Sequence, residues 1–292
     1  MAAAPHPLPE VLAAGWSEHR LERPQGGLRY VEAGEGPWLL LCHGFIGSAE
    51  NFESWVPRLA LRRRLLIPDL PGFGGSAPLP GAHSSRALAL EVLALLDQLQ
   101  VGEIDLGGLC LGASVALEVL AQRPRAVRRL LLHTPLLDPG SLRRGFRAQV
   151  ALATLPGAFD AISWAARRRR LADLYRRLVV EGSGVVDRRA AEVNFENQLR
   201  AFPRAAREWL RLAVRQDYRD LVRNWRGPVG ILAAAEDRIL DLPRLRRFCR
   251  ARAGTELEVM EESGHGWDPE LISGQLEILE RYLELPAAAE AG

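Results

Sequence analysis

The chain alternates between short apolar runs and longer stretches in which apolar residues recur at helical spacing. Apolar runs bounded by turn residues are typical of strands buried on both faces of a parallel sheet. This pattern predicts strands at Trp38–Cys42, Leu65–Pro68, Ile104–Leu106, Val127–Leu132, Val229–Ala233 and Leu257–Met260. Helical spacing predicts helices at Asn51–Leu61, Ser85–Leu99 and Ala113–Ala121. Strands that alternate with helices indicate an α/β fold with a mostly parallel, twisted sheet and helices on both faces.

Two segments depart from this rhythm. Trp16–Leu21 and Leu28–Glu32 flank a Gln-Gly-Gly turn, which predicts two short strands at the start of the fold. Residues 139–226 are rich in arginine and helix-forming residues and show no clear strand before Gly227-Pro228. A helical block between two strands of one sheet predicts a cap over the carboxyl edge of the sheet. We therefore expect a core of residues 1–138 and 227–292 and a helical cap of residues 139–226.

Composition and cysteine content narrow the class of protein. The 292 residues carry a net charge of +2, which suits one large α/β domain with an insertion and argues against a polyanion-binding protein. The three cysteines, Cys42, Cys110 and Cys249, are widely spaced and odd in number, so neither a disulfide framework nor a metal site is expected. Met1–Glu10 lacks the pattern of a secretory signal, and no apolar stretch approaches the length of a membrane span. We expect a cytoplasmic protein with a frayed tail at Pro286–Gly292.

The strongest chemical signal is the segment Gly108-Leu109-Cys110-Leu111-Gly112, which joins a predicted strand to a predicted helix. A nucleophile at such a turn needs small residues two positions before and after it, so that strand and helix can approach closely. The amino terminus of the following helix also favours a thiolate. On this segment alone, a buried structural cysteine remains an equal alternative.

Four further segments complete the pattern: His43–Ser48 (HGFIGS), Asp69–Ser76 (DLPGFGGS), Glu236-Asp237 and Gly264-His265-Gly266. Together with the Cys110 turn, and in this order, they resemble the α/β-hydrolase superfamily from about Trp16 to Leu285. The first two are similar to those of the branch that contains small-molecule esterases, carbon–carbon hydrolases and menaquinone-pathway enzymes. The cysteine departs from that branch and is similar to the nucleophile of dienelactone hydrolases, polyhydroxyalkanoate synthases and some carrier-bound thioesterases.

The resemblance implies roles for three side chains. Cys110 corresponds to the nucleophile, His265 to the general base and Asp237 to the acid that orients the base, in the chain order of this superfamily. Glu236 and Asp241 lie close enough in the sequence to compete for the role of the acid. Asp138, after the preceding strand, is a further candidate because some members place the acid there.

The resemblance also implies an oxyanion hole, which is made of two backbone N–H groups. One is expected from Leu111, which follows the nucleophile, and the other from Phe45, which follows His43-Gly44. Gly44 and Gly47 allow the loop to curve toward the nucleophile. His43 itself is expected to pack under the loop.

These assignments predict a hydrolase that acts on an ester, thioester or lactone through an acyl-cysteine intermediate, without a cofactor or metal. Two alternatives stay open: acyl transfer or cyclisation of a coenzyme A- or carrier-bound acyl group, and a non-catalytic binder of a small ligand.

Residues 139–226 contain 19 Arg against 9 Asp and Glu, with the densest run at Arg167–Arg170. This excess indicates either a solvated helix face or a surface for an anionic partner such as coenzyme A or an acyl carrier protein. Nucleic acid is not expected, since no recognition motif accompanies the charge.

Overall fold

The computed structural model describes residues 15–175, 178, 187–261, 263–265 and 269–284, so the predictions for Met1–Glu10 and Pro286–Gly292 lie outside the described residues. One sheet contains eight strands: Trp16–Leu21 (β1), Leu28–Ala33 (β2), Trp38–Cys42 (β3), Arg64–Pro68 (β4), Ile104–Leu109 (β5), Val127–His133 (β6), Val229–Ala234 (β7) and Thr255–Met260 (β8). Their order in the sheet is β1-β2-β4-β3-β5-β6-β7-β8. β2 pairs antiparallel with β1 and β4, and all other neighbours in the sheet are parallel. The predicted mostly parallel sheet is confirmed.

Helices cover both faces of this sheet. The described helices are Val56–Leu59 (α1), Ser85–Gln98 (α2), Leu111–Gln122 (α3), Arg144–Ala153 (α4), Ala158–Ala166 (α5), Arg169–Tyr175 (α6), Arg188–Arg200 (α7), Pro203–Ala213 (α8), Arg219–Asn224 (α9), Leu242–Arg250 (α10) and Pro269–Leu283 (α11). Apolar residues of α2, α3 and α10 pack on one face of the sheet. Those of α1 and α11 pack on the other. The two buried clusters explain why the central strands are apolar on both faces.

The predicted single helix at Asn51–Leu61 is wrong. A 3-10 helix at Ala49–Phe52 is followed by the separate short helix α1. Pro57 occupies the first turn of α1, where its fixed φ and missing N–H are tolerated, and so marks a helix start within the predicted range. The segment is held by burial of Phe52 and Trp55 rather than by a long hydrogen-bonded helix.

The helices α4 to α9 all lie between β6 and β7, and the described part of residues 139–226 contains no strand. Trp209 of α8 is fully buried, packs on Phe73, and donates its indole N–H to the Ser85 hydroxyl over 3.2 Å. This contact fixes the inserted helices to the core beside α2, although the division into core and cap stays a prediction. None of the described helices is both long and apolar enough to cross a bilayer.

Candidate active site

Cys110 occupies a sharp turn between β5 and α3. Its backbone has φ +50° and ψ −113°, a conformation that costs a non-glycine residue about 1–3 kcal/mol. The Cys110 N–H donates to the carbonyl of His133 at the end of β6, over 2.9 Å. The turn is therefore tied to the neighbouring strand, which compensates for the strain.

The two glycines around Cys110 are required by close packing. A Cβ on Gly108 would lie 2.6 Å from the Cα of Ala113, and a Cβ on Gly112 would lie 2.2 Å from the carbonyl oxygen of His43. Both distances are shorter than any normal contact, so only glycine at these positions allows α3 to begin directly above β5 and against the end of β3. This is the geometry that the sequence predicted for a nucleophile turn.

The structure brings the three predicted catalytic side chains together. His265 Nε2 lies 3.3 Å from Cys110 Sγ, and His265 Nδ1 lies 2.7 Å from Asp237 Oδ2. The other carboxylate oxygen of Asp237 accepts the N–H groups of Ile239 and Leu240 over 2.7 and 2.8 Å. Asp237 is thus held by its own loop, so that it presents one oxygen to the imidazole.

The charges in this cluster reinforce each other. Burial opposes the charge on His265, but Asp237 and Cys110 outweigh it and raise the pKa of His265 well above its ordinary value. Burial likewise opposes the charge on Asp237, yet His265 and the two loop N–H groups lower the pKa of Asp237. Asp237 is therefore a carboxylate near neutral pH, and His265 is readily protonated. An imidazolium beside a sulfur stabilises its thiolate form.

The competing carboxylates lie in other environments. Asp138 accepts the Nε–H of Arg244 over 3.0 Å and forms an ion pair with Arg219 over 3.1 Å. Asp241 accepts the Arg244 backbone N–H and caps α10. Glu236 donates its backbone N–H to the carbonyl of Ser263. The carboxylate that contacts the imidazole is therefore that of Asp237, and not that of Asp138 or Asp241.

His43 lies beneath the predicted oxyanion loop and fixes its orientation. Its Nε2 accepts the N–H of Leu70 over 2.9 Å, so the ring hydrogen is on Nδ1 and is donated to the Gly44 carbonyl, also over 2.9 Å. Burial lowers the pKa of His43 to about 4, which keeps the ring neutral. Because C=O and N–H point in opposite directions across a trans peptide, the Phe45 N–H is directed away from His43.

This loop lies against the nucleophile turn. A Cβ on Gly44 would lie 3.2 Å from the Leu109 carbonyl and 3.5 Å from the Cβ of Cys110. Leu111 is the first residue of α3, and the first four N–H groups of a helix have no partner within it. The predicted donors, Phe45 and Leu111, therefore sit on two segments that meet beside Cys110.

One buried ion pair was not recognised from the sequence. The Asp69 carboxylate accepts the N–H groups of Ala49 and Gly75, each over 2.7 Å, and Arg29 Nη1 over 2.8 Å. Asp69 thereby joins the segment after His43–Ser48 to its own loop. The sequence did contain one indication of this ion pair. Arg29 lies within the buried strand β2, and a buried charge requires a partner.

A chain of amides links the inserted helices to the same region. Asn51 accepts the Ser48 N–H over 2.9 Å and the Asn197 amide over 3.1 Å, and it donates to Asn194 over 3.1 Å. Asn194 and Asn197 belong to α7, and Asn197 is buried. The position of α7 is therefore coupled to the segment that follows the oxyanion loop.

Comparison with known proteins identifies the fold family. The family model described as alpha/beta hydrolase fold matches residues 37–266. The chain is 26% identical to an uncharacterized protein of Mycobacterium tuberculosis, over 88% of this chain and 78% of that protein. It is 23% identical to 2-hydroxy-6-oxo-2,4-heptadienoate hydrolase of Pseudomonas putida, over 86% and 91%. Among solved structures, an esterase from Exiguobacterium antarcticum superimposes with a TM-score of 0.76 at 19% identity, over 91% of this chain and 99% of that one.

Proposed function

The chain belongs to the α/β-hydrolase fold family, and from this premise we propose that it hydrolyses an ester, thioester or lactone with Cys110 as the nucleophile. One observation carries the proposal. The sulfur, the imidazole and a buried carboxylate form a continuous series of contacts of 3.3 and 2.7 Å in the order that nucleophilic catalysis requires.

The first half of the reaction forms an acyl-enzyme. The Cys110 thiolate, stabilised by protonated His265, attacks the acyl carbonyl carbon and breaks its π bond. The resulting oxyanion accepts hydrogen bonds from the Phe45 and Leu111 N–H groups. As the tetrahedral intermediate collapses, His265 donates its proton to the departing oxygen or sulfur. The acyl group is left on Cys110 as a thioester.

The second half regenerates the thiolate. Neutral His265 takes a proton from a water molecule, whose oxygen attacks the thioester carbonyl carbon. Collapse of the second tetrahedral intermediate releases the carboxylic acid and the Cys110 thiolate, while His265 keeps the proton. Asp237 holds the Nδ1 hydrogen of His265 throughout, so that Nε2 faces the reacting atoms in both steps.

The substrate class follows from the nucleophile. Exchange of an acyl group between two sulfur atoms is nearly balanced in energy, so a thioester suits a cysteine nucleophile. A thioester on coenzyme A or a carrier protein is also anionic, and the 19 Arg against 9 acidic residues in 139–226 favour such a partner. Acyl transfer is the second candidate, since an acyl-cysteine also reacts with amines and alcohols.

Mass spectrometry of the intact protein, mixed with an aryl ester or an acyl-coenzyme A thioester, tests the proposal. We expect a burst of leaving group and an added acyl mass that peptide mapping assigns to Cys110. Cys249→Ala is the matched control, because burial raises the pKa of Cys249 to about 11 and makes that thiol a poor nucleophile. Turnover that persists in Cys110→Ala would refute the mechanism.

The choice between water and another acceptor is decided by the product. Free carboxylic acid as the sole product in buffer, unchanged by added amines or alcohols, supports hydrolysis. A transferred product at the expense of free acid supports acyl transfer. If none of the esters and thioesters tested is turned over or leaves an acyl adduct on the protein, the protein is better explained as a non-catalytic binder of a small ligand.

A further inference from the structure

A concave site lies outside the Cys110 cluster. The loop after β6, the helix α9 and the helix α10 enclose a cleft of about 200 Å³. A single water needs only about 10–15 Å³ of such space, so the cleft has room for a group much larger than water. The lining residues that carry the argument are Asp138, Arg219, Arg223, Arg244, Arg247 and Phe248.

Positive charge dominates this lining. Four guanidinium groups face the cleft and one lining carboxylate, Asp138, accompanies them. Arg219 and Arg244 share Asp138, which is 4% exposed and also accepts the Ser141 hydroxyl. Arg219 also pairs with Asp217, which lies outside the lining, so carboxylates hold both of these guanidinium groups in place.

Of the other two arginines in the lining, Arg247 adds a positive charge that no ion pair among the described residues offsets. Arg223 pairs with Asp220, whose side chain is 88% exposed and lies outside the lining. Within the part of the chain that the structure describes, no carboxylate lies within ion-pair distance of Arg247. Each guanidinium group has five N–H donors in a planar fork that matches a phosphoryl group, and the bonds described here use only some of them.

We propose that this cleft binds a phosphate or diphosphate group of a small ligand. A dianion there compensates the charge excess and accepts the remaining N–H donors through two-point contacts with arginine. The lining also contains the apolar side chains of Leu137, Leu245 and Phe248, which suit the organic part of a phosphate ester. Ser141 in the lining is linked to the segment that follows Asp237, because its carbonyl accepts the Asp241 N–H over 2.7 Å. The proposal is independent of the assigned hydrolytic activity.

Isothermal titration calorimetry with inorganic pyrophosphate tests the site at low ionic strength and again at physiological salt. We expect saturable binding of one pyrophosphate per chain, at least tenfold weaker in the Arg223→Gln, Arg247→Gln double variant. The matched control is Arg246→Gln, Arg250→Gln, which removes the same charge from exposed positions of α10 outside the lining. Thermal unfolding of both double variants checks that the fold is retained.

Two further binding measurements identify the source of the phosphate and separate this site from the Cys110 site. Tighter binding of phenyl phosphate than of inorganic phosphate assigns the cleft to an organic phosphate, and the reverse order assigns it to free phosphate. The Cys110→Ala variant is expected to bind pyrophosphate like the unmodified protein, whatever its activity. Absence of saturable binding, or equal weakening by the control double variant, would overturn the proposal.

Discussion

The two buried aspartates that compete for the role of acid, Asp237 and Asp138, provide a sharp test of the site. Changing either to asparagine removes one negative charge and preserves the shape of the side chain. The structure predicts different consequences, because Asp237 contacts His265 while Asp138 contacts Arg244 and Arg219. Asp237→Asn is expected to impair catalysis, and Asp138→Asn to affect mainly stability.

The magnitude follows from the contacts of Asp237. Its Oδ1 accepts the Ile239 and Leu240 N–H groups, so the oxygen of an asparagine is fixed on that side. The amide NH₂ then faces His265 Nδ1, which must accept, and the ring hydrogen moves to Nε2 beside the sulfur. Loss of a charge-assisted bond costs about 1.5–3 kcal/mol, and the wrong tautomer adds to it. We expect a total of about 3–5 kcal/mol, or roughly 10²–10⁴ in kcat/KM.

The assay compares kcat/KM of the two variants on one activated thioester, together with their thermal unfolding. Asp138→Asn is expected to lose less than about tenfold in kcat/KM, and about 1–3 kcal/mol of stability from its broken arginine contacts. A larger activity loss at Asp138 would place the acid after the earlier strand β6 and refute the reasoning. Equal losses at both positions would also refute it, because the structure predicts different roles for the two carboxylates.

The remaining predictions address the nucleophile, the turn, the oxyanion loop and the arginine run. Cys110→Ala is expected to abolish turnover with the fold retained by circular dichroism, whereas Cys110→Ser keeps weak hydrolysis because a hydroxyl needs stronger base assistance. Gly112→Ala should lower the melting temperature and the activity together, since its Cβ would meet the backbone at 2.2 Å; a variant with unchanged stability contradicts that packing. His43 has a folded pKa of about 4 against 6.5 unfolded, so its contribution to stability is present above pH 6.5 and is lost as pH falls toward 4, by roughly 3 kcal/mol. Denaturant titrations between pH 7 and pH 4 should show this slope, and a His43→Asn variant that retains it would assign the slope elsewhere. Neutralising Arg167–Arg170 should raise KM for a coenzyme A thioester and make that KM less dependent on salt, with little effect on a neutral ester of the same acyl group. Equal effects on both substrates would indicate that these arginines only form a solvated helix face.

The sequence alone predicted the mostly parallel sheet and the tight strand-to-helix turn at Cys110, and the structure contains both. Strands such as Trp38–Cys42 are continuously apolar because helices cover both faces of the sheet. Such a run can be recognised from neighbouring residues in the sequence alone. The glycines around Cys110 also predicted the turn from the local sequence, because a tight strand-to-helix turn leaves no room for a Cβ at these positions. The break at Pro57 was also present locally, but the apolar spacing of Asn51–Leu61 obscured it.

Only the tertiary structure decided which carboxylate faces the imidazole. Asp138 and Asp237 both follow buried strands, and nothing local separates them. The choice depends on side chains distant in the chain: Arg244 reaches Asp138, and His265 reaches Asp237. The same holds for Arg29 with Asp69, for Asn51 with α7, and for the arginine-lined cleft, which gathers residues from three segments. The hydrophobic pattern of the sequence indicates which residues are buried. The partner of a buried charge depends instead on how segments that are distant in the chain pack together.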